Sequence, residues 1–456
     1  MHIKLSFVKR PLLLILAAAL TLVLSGTHTV AQGVLPAEEP TPLQEMLNRV
    51  PNTSVARAGE IYFLDREAII QAFPPAEIPP DYVTWDDDGG ETVTWDIYWR
   101  VYRNVSSGLQ EIQAAFGRAD TMPEVIGIDV FQIRQELAFG QPPANGAIIS
   151  GEFDMGAVRT AFANNDFEQA DSDVELWCWV EGCDMGTQTD LQAADPVNIF
   201  GGRLGRRQPL VIDEDTGTLF SAAGLPLVES YIATQTDTLP NLMDDERYIA
   251  ITDVLAQQGI MIQAWIIDGE RLLDFTIFDP ISMLGLNPSM PREQLDQALD
   301  ELINLDEFVA LPPFTLLAFA DIVREETQDG VVALVYSTEE EARTAADVIP
   351  ARLETNSSLV QQRPWGEILE DRQLTVSSTV VEASNGRWVT LINFVTGRVP
   401  GDQVIAETEV ALTDESDPDL IAPGLSFRLL PQAYQQRDMG WLNTASRADM
   451  EAILED

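Results

Sequence analysis

Leu334-Val335-Tyr336-Ser337-Thr338-Glu339-Glu340-Glu341-Ala342 passes from an apolar run directly into a Thr-x-x-Glu pattern, and the fold class follows from how that junction is read. Leu334 to Ser337 reads as a strand that leads into a helix. Thr338 and Glu341 form a capping box, in which each side chain satisfies a backbone amide that the first helical turn leaves without a partner. Ala342, Ala345, Ala346 and Ile349 then recur at three and four residue spacing, the mark of one buried helix face, before Pro350 is expected to disturb the helix. Further on, Arg363-Pro364-Trp365 and Ile368 precede a second strand from Leu374 to Val381.

The same grammar occurs earlier. Thr218-Leu219-Phe220-Ser221 leads to a helical Leu225 to Ala233, then Arg247-Tyr248 and Ile251, then a strand from Ile260 to Ile267. Phe220 to Tyr336 is 116 positions, and Tyr248 to Trp365 and Ile251 to Ile368 are both 117. That agreement suggests an internal duplication of a strand-helix-helix-strand unit, although units of this kind also recur by chance.

Working outward, Ile61 to Leu64 reads as a strand, with Asp65 as N-cap of a helix through Ala68, Ile69 and Phe73 that ends before Pro74-Pro75. Val93, Trp95, Ile97, Trp99 and Val101 alternate with Thr94, Asp96, Tyr98 and Arg100, which describes a half-buried strand after the turn-forming Asp86-Asp87-Asp88-Gly89-Gly90. Ala147 to Ser150 is extended, Met155 to Phe162 helical, and Val174 to Val180 extended. Pro291 opens a helix with Leu295, Ala298, Leu299, Leu302 and Ile303 on one face. Hairpin turns are expected at Asp213-Glu214-Asp215-Thr216-Gly217 and at Ser384-Asn385-Gly386. The predicted fold class is α+β, with mostly antiparallel sheets flanked by helices, in two lobes at residues 43–275 and 276–456.

Residues 1–31 read as a cleavable signal peptide. Lys4, Lys9 and Arg10 precede 13 residues from Leu12 to Leu24 that only Thr21 interrupts, and Thr29-Val30-Ala31 offers small residues for cleavage. The run is shorter than the roughly 20 apolar residues a membrane span needs. Residues 32–42 form a flexible leader with Pro36, Pro40 and Pro42. The expected location is therefore secreted or extracellular, with no stable membrane insertion after cleavage. Cys178 and Cys183, the only cysteines, are expected to form a disulfide there, a local staple worth about 2 kcal/mol by loop entropy. Trp177 and Trp179 beside them are expected on opposite faces, leaving at least one exposed.

Both histidines and both lysines lie within residues 1–31, so the exported chain holds 24 arginines against 73 acids, hence a formal charge of −49. Loss of imidazole excludes Ser-His-Asp and Cys-His hydrolases and His-ligated zinc or haem. Loss of lysine excludes Schiff bases and Walker-type phosphate binding. The acidity argues against nucleic acid as a partner, because such binding draws on clustered cations. No cofactor is expected.

Three sets of residues remain as candidate sites. Arg203, Arg206 and Arg207 form a basic cluster in a glycine-rich stretch, suited either to an anionic ligand or to pairing with neighbouring carboxylates. Tyr98 and Tyr102 face away from the buried tryptophans and offer ring surfaces to a flat ligand. Asp86, Asp87 and Asp88, and likewise Asp414, Glu415, Asp417 and Asp419, are oxygen-rich loops able to hold calcium, though the EF-hand spacing is absent. Paired carboxylates can run glycoside hydrolysis without histidine, but with 73 acids no particular pair stands out.

Gly127-Ile128-Asp129 through Gly151-Glu152-Phe153-Asp154, followed by Leu219-Phe220-Ser221 and Asp244-Asp245-Glu246-Arg247-Tyr248, resembles exported bacterial proteins of unknown function. The likeness spans about residues 125 to 260. Many of those relatives look lipid-anchored, whereas Thr27 stands here where a lipid-bearing Cys would be. The resemblance implies export and a multi-lobed α+β fold, and carries over no activity, cofactor or catalytic residue. The expected function is an exported, non-enzymatic binding or interaction protein whose partner is a small molecule or an extracellular protein. The alternatives are a carboxylate-dependent hydrolase acting on extracellular glycans and a calcium-stabilised surface protein.

Overall fold

Strand alternation sets the architecture. The computed structural model describes residues 39–72, 116–269, 310–358, 360–397 and 425–444, with isolated positions between them. In chain order the principal elements are α1 (Pro42–Leu47), β1 (Ile61–Asp65), α2 (Arg66–Ala72), α3 (Met122–Ile126), β2 (Ile133–Gln141), β3 (Ala144–Gly151) and α4 (Met155–Asn164). They continue with β4 (Phe167–Gln169), β5 (Glu175–Trp179), β6 (Leu210–Asp213), β7 (Thr218–Ala222), α5 (Leu225–Gln235), α6 (Glu246–Ala256) and β8 (Ile260–Asp268). The last are β9 (Leu316–Val323), β10 (Thr327–Tyr336), α7 (Glu339–Thr355), α8 (Trp365–Asp371), β11 (Thr375–Glu382), β12 (Trp388–Gly397) and α9 (Leu425–Gln435).

The twelve strands of the described residues join one sheet in the order β11-β12-β10-β9-β8-β1-β2-β3-β7-β6-β5-β4, and every neighbouring pair is antiparallel. Phe63, Leu137, Ile148, Phe220, Ala264, Ala318, Val331 and Val389 project from one face and pack beneath α1, α5 and α6. The opposite face carries two cores. Leu64, Ile133, Ile149 and Leu219 meet α2, α3 and α4, while Trp265, Phe319, Val332 and Ile392 meet α7, α8 and α9. The result is helix, sheet and helix in three layers. Because both faces are covered, β9 and β10 are buried almost end to end, and Leu316 to Ala320 and Val331 to Tyr336 are continuous apolar runs, the pattern usual for parallel sheets.

Several local expectations agree with these coordinates. Asp65 accepts from the Ala68 amide at 3.1 Å and caps α2, and Thr338 and Glu341 close the capping box of α7. Gly217 and Gly386 take positive φ of 64° and 80° in the two hairpin turns.

Others need correction. Pro350 lies inside α7, which runs on to Thr355. Leu353 and Ile349 are buried on one stripe across it, and about 1.5–3 kcal/mol from burying such a side chain offsets most of the roughly 3 kcal/mol a mid-helix proline costs. Trp177 and Trp179 share a face, as a period of two dictates, with Leu176 and Cys178 on the other. Thr41 caps a helix that starts at Pro42, so regular structure reaches into the end of the stretch expected to be a flexible leader.

The boundary expected between lobes falls between β8 and β9, which pair from Ile260 with Val323 to Asp268 with Leu316, so the described strands of both halves share one sheet. The two similar stretches share their order of elements but not their topology. β7 and β8 are separated by β3, β2 and β1, with α5 and α6 on the first face. β10 and β11 are separated by β12 alone, with α7 and α8 on the second. Both crossovers travel the same way along the sheet between strands of the same direction but over opposite faces, so they have opposite hands, and one departs from the right-handed rule.

Candidate functional site

Five adjacent strands each place one polar side chain at the same end of the first face. Asp65 on β1 is the register partner of Gln135 on β2, Gln135 of Ser150 on β3, Ser150 of Thr218 on β7, and Thr218 of Asp213 on β6. Below this row the same strands turn apolar side chains to the core: Phe63, Leu137, Ile148, Phe220 and Val211. Each strand thus ends its inward alternation on a hydrogen-bonding group.

The row is internally bonded. Ser150 Oγ donates to Gln135 Oε1 at 2.6 Å, and the Gln135 side chain bonds the Asp65 carboxylate. At the other end, the Thr216 hydroxyl lies 3.1 Å from Thr218 Oγ1 and donates to Asp213 Oδ2 at 2.5 Å. Above the row, the end of α1 supplies Glu45, Met46 and Arg49, and the end of α5 supplies Thr234 and Gln235. Between these helices and the row lies a cleft of about 570 Å³.

Arg49 and Asp213 pair across the cleft at 2.9 Å, and Gln235 Nε2 donates to the Arg49 carbonyl at 3.1 Å. Burial works to raise the Asp213 carboxyl, but bonds from Thr216 and Arg49 outweigh it and hold the group below its ordinary range. Tyr231, stacked on Phe220 with ring centroids 3.8 Å apart, is pushed up to about 12 by burial, with Arg49 acting in the opposite sense. At the far end of the row, burial pushes Asp65 up to about 6 against the pull of the Ala68 amide, with the Glu67 charge adding to the rise. A second recess of about 370 Å³ opens beside Asp65, between Leu43, Phe63 and Met261.

The lining therefore offers hydroxyls, carboxamides and carboxylates, and its one guanidinium is already engaged. It can accept and donate many hydrogen bonds. Ser150 spends its proton on an amide oxygen and has no base beside it, so nothing in the row activates it as a nucleophile.

The sequence-predicted residues lie elsewhere. Arg203, Arg206 and Arg207 sit in the segment that leads into β6, at the end of that strand opposite Asp213. None of the three has an ion pair among the described residues, so the expected pairing with carboxylates is replaced by a contact of Arg207 with the Trp179 ring at 5.7 Å. Cys178 and Cys183 are bonded to each other. Tyr98, Tyr102, Asp86, Asp87, Asp88, Asp414 and Asp417 lie outside the described residues, as do residues 1–31. Among the described residues no group of three or more His, Cys, Asp or Glu could hold a metal ion, and no helix is long and apolar enough to cross a membrane.

No family model matches the chain, and no curated protein matches it. Crystal form III of TP0453 aligns with 82% of this chain and 100% of its own at 8% identity, with a TM-score of 0.31. Crystal form I of TP0453 aligns with 80% of this chain and 96% of its own, at 8% identity and a TM-score of 0.30. Agreement that low carries no argument about fold or activity.

Proposed function

We propose that this is an exported binding protein whose ligand occupies the cleft between α1, α5 and the polar row. The supporting observation is the row itself. Five strands in register end on Asp65, Gln135, Ser150, Thr218 and Asp213; the last four line the cleft, and Asp65 lines the second recess. Glu45, Asp213 and Asp237 repel anions, and the mixed donors and acceptors suit a neutral, hydroxyl-rich molecule such as a sugar or polyol. Its hydroxyls would donate to the carboxylates and accept from the amides. The halves 43–275 and 276–456 are read as parts of one sheet, so recognition uses a fixed surface and needs no closure of one lobe on the other.

The hydrolase alternative would need a carboxyl that carries a proton near neutral pH. Within the row Asp65 comes closest, but its oxygen caps α2 and its side chain bonds Gln135, which favours a structural role. A thermal-shift screen of the purified chain against neutral sugars, polyols, polyamines and uronic acids tests the proposal. Stabilisation by a neutral polyhydroxyl compound supports it. A response confined to polyamines, or no response to any class, counts against it.

A further inference from the structure

Arg206 and Arg207 lie outside the cleft and raise a separate question. Carboxylates outnumber cations 73 to 27 in this chain, and ten other described arginines reach a carboxylate within ion-pair distance. Against that background three guanidinium groups with no ion pair among the described residues fall within five positions.

Local structure accounts for the isolation. The acids of the same segment are engaged with the backbone: Asp190 Oδ1 accepts from the Gln192 amide and Asp195 Oδ1 from the Val197 amide, both at 3.0 Å. The turn that carries the arginines is braced. Gly205 takes φ 62° with a Cβ position only 1.8 Å from the Asp190 carbonyl oxygen, so no other residue fits there. The Arg206 amide donates to Gly201 O at 3.1 Å. Arg207 rests on the Trp179 ring at 5.7 Å, an arrangement that fixes the plane of the guanidinium yet leaves its N–H edge free. Arg206 buries Nε with no hydrogen-bond acceptor. An oxyanion supplies what both lack, because its oxygens meet the fork of an arginine two at a time.

We propose that Arg206 and Arg207, held by the braced turn and by Trp179, form a binding site for an oxyanionic group, the carboxylate, sulfate or phosphate of a small ligand. The site is independent of the cleft, and either can fail without the other. It is tested by titrating the purified chain with sodium phosphate, sodium sulfate and sodium glucuronate at constant ionic strength, with glucose as the neutral control, following tryptophan emission and heat. The expected result is saturable one-site binding of at least one anion with a change in emission, and none with glucose; the anion that binds best identifies the source chemistry. Arg206→Gln and Arg207→Gln each weaken binding roughly tenfold, as loss of a charge-assisted hydrogen bond should. Arg207→Lys keeps the charge but not the fork and weakens it several-fold, while Arg363→Gln, a half-buried arginine paired with Asp371 elsewhere, changes nothing. Circular dichroism confirms that each variant folds, and any one folded variant at residue 206 or 207 suffices. Absence of saturation with all three anions, or titrations unchanged in a folded variant at residue 206 or 207, overturns the proposal.

Discussion

Ser150 on β3 donates its hydroxyl to the carboxamide oxygen of Gln135 on β2 at 2.6 Å, across the central pair of the five-strand row. Neither side chain is fully buried, so water can replace part of the bond. Ser150→Ala should destabilise the protein by about 1 kcal/mol, the usual net worth of one such bond. Urea unfolding of the two forms measures this. No change in midpoint would mean that the pair is not ordered in solution.

Asp321 on β9 is fully buried on the second face, where Gln328 and Gln263 donate to its two oxygens at 3.0 and 3.2 Å. Burial dominates those bonds and the attraction of Arg428, and with a small repulsion from Asp329 it pushes the carboxyl from 3.8 up to about 6. A carboxyl whose folded pKa is raised contributes stability that is present below about pH 4 and lost as pH rises through about 6. The group should therefore cost about 3 kcal/mol at neutral pH relative to pH 4. Asp321→Asn should flatten the stability profile over that window and raise the melting temperature at pH 7. Gln263 Oε1, buried without a partner, is placed to accept from the new amide once the Gln263 side chain turns over. A variant less stable than the parent at pH 7 would show that the charged form is the one the core is built for.

Arg66 on α2 and Glu136 on β2 are each 1% exposed and lie 3.1 Å apart, with Arg66 also donating to the Ile133 carbonyl at 2.9 Å. Removing one partner strands a buried charge, so Arg66→Met or Glu136→Leu alone should cost about 3–5 kcal/mol. The double replacement should recover most of that loss. Denaturant midpoints of the four forms close the cycle, and additive losses would show that the two groups do not depend on each other.

Much of the fold was legible where local chemistry decides it. Asp65, Thr338 with Glu341, Gly217 and Gly386 mark helix starts and turns because a few neighbouring atoms settle each one. The single sheet was not legible, because strand order depends on pairings such as Ile260 with Val323 that are far apart in sequence. Pro350 misled for a related reason: tertiary burial of Leu353 outweighs the local break. The row at the cleft was missed although each member sits at the polar end of an apolar strand. In the sequence Asp65 reads only as a cap, Asp213 only as part of a turn, and Ser150 only as a strand end. Their shared feature is register, which one strand cannot reveal. The arginine cluster was visible as composition, but its lack of acidic partners emerged only from where Asp190 and Asp195 direct their oxygens.

The most direct test of the cleft is calorimetric titration of the purified chain with the best neutral polyhydroxyl compound from the thermal-shift screen, repeated with Gln135→Ala and Thr218→Val. The account predicts one site per chain, with affinity reduced roughly tenfold or more in each variant while the fold is retained. Binding that both substitutions leave untouched would place the ligand elsewhere and contradict it.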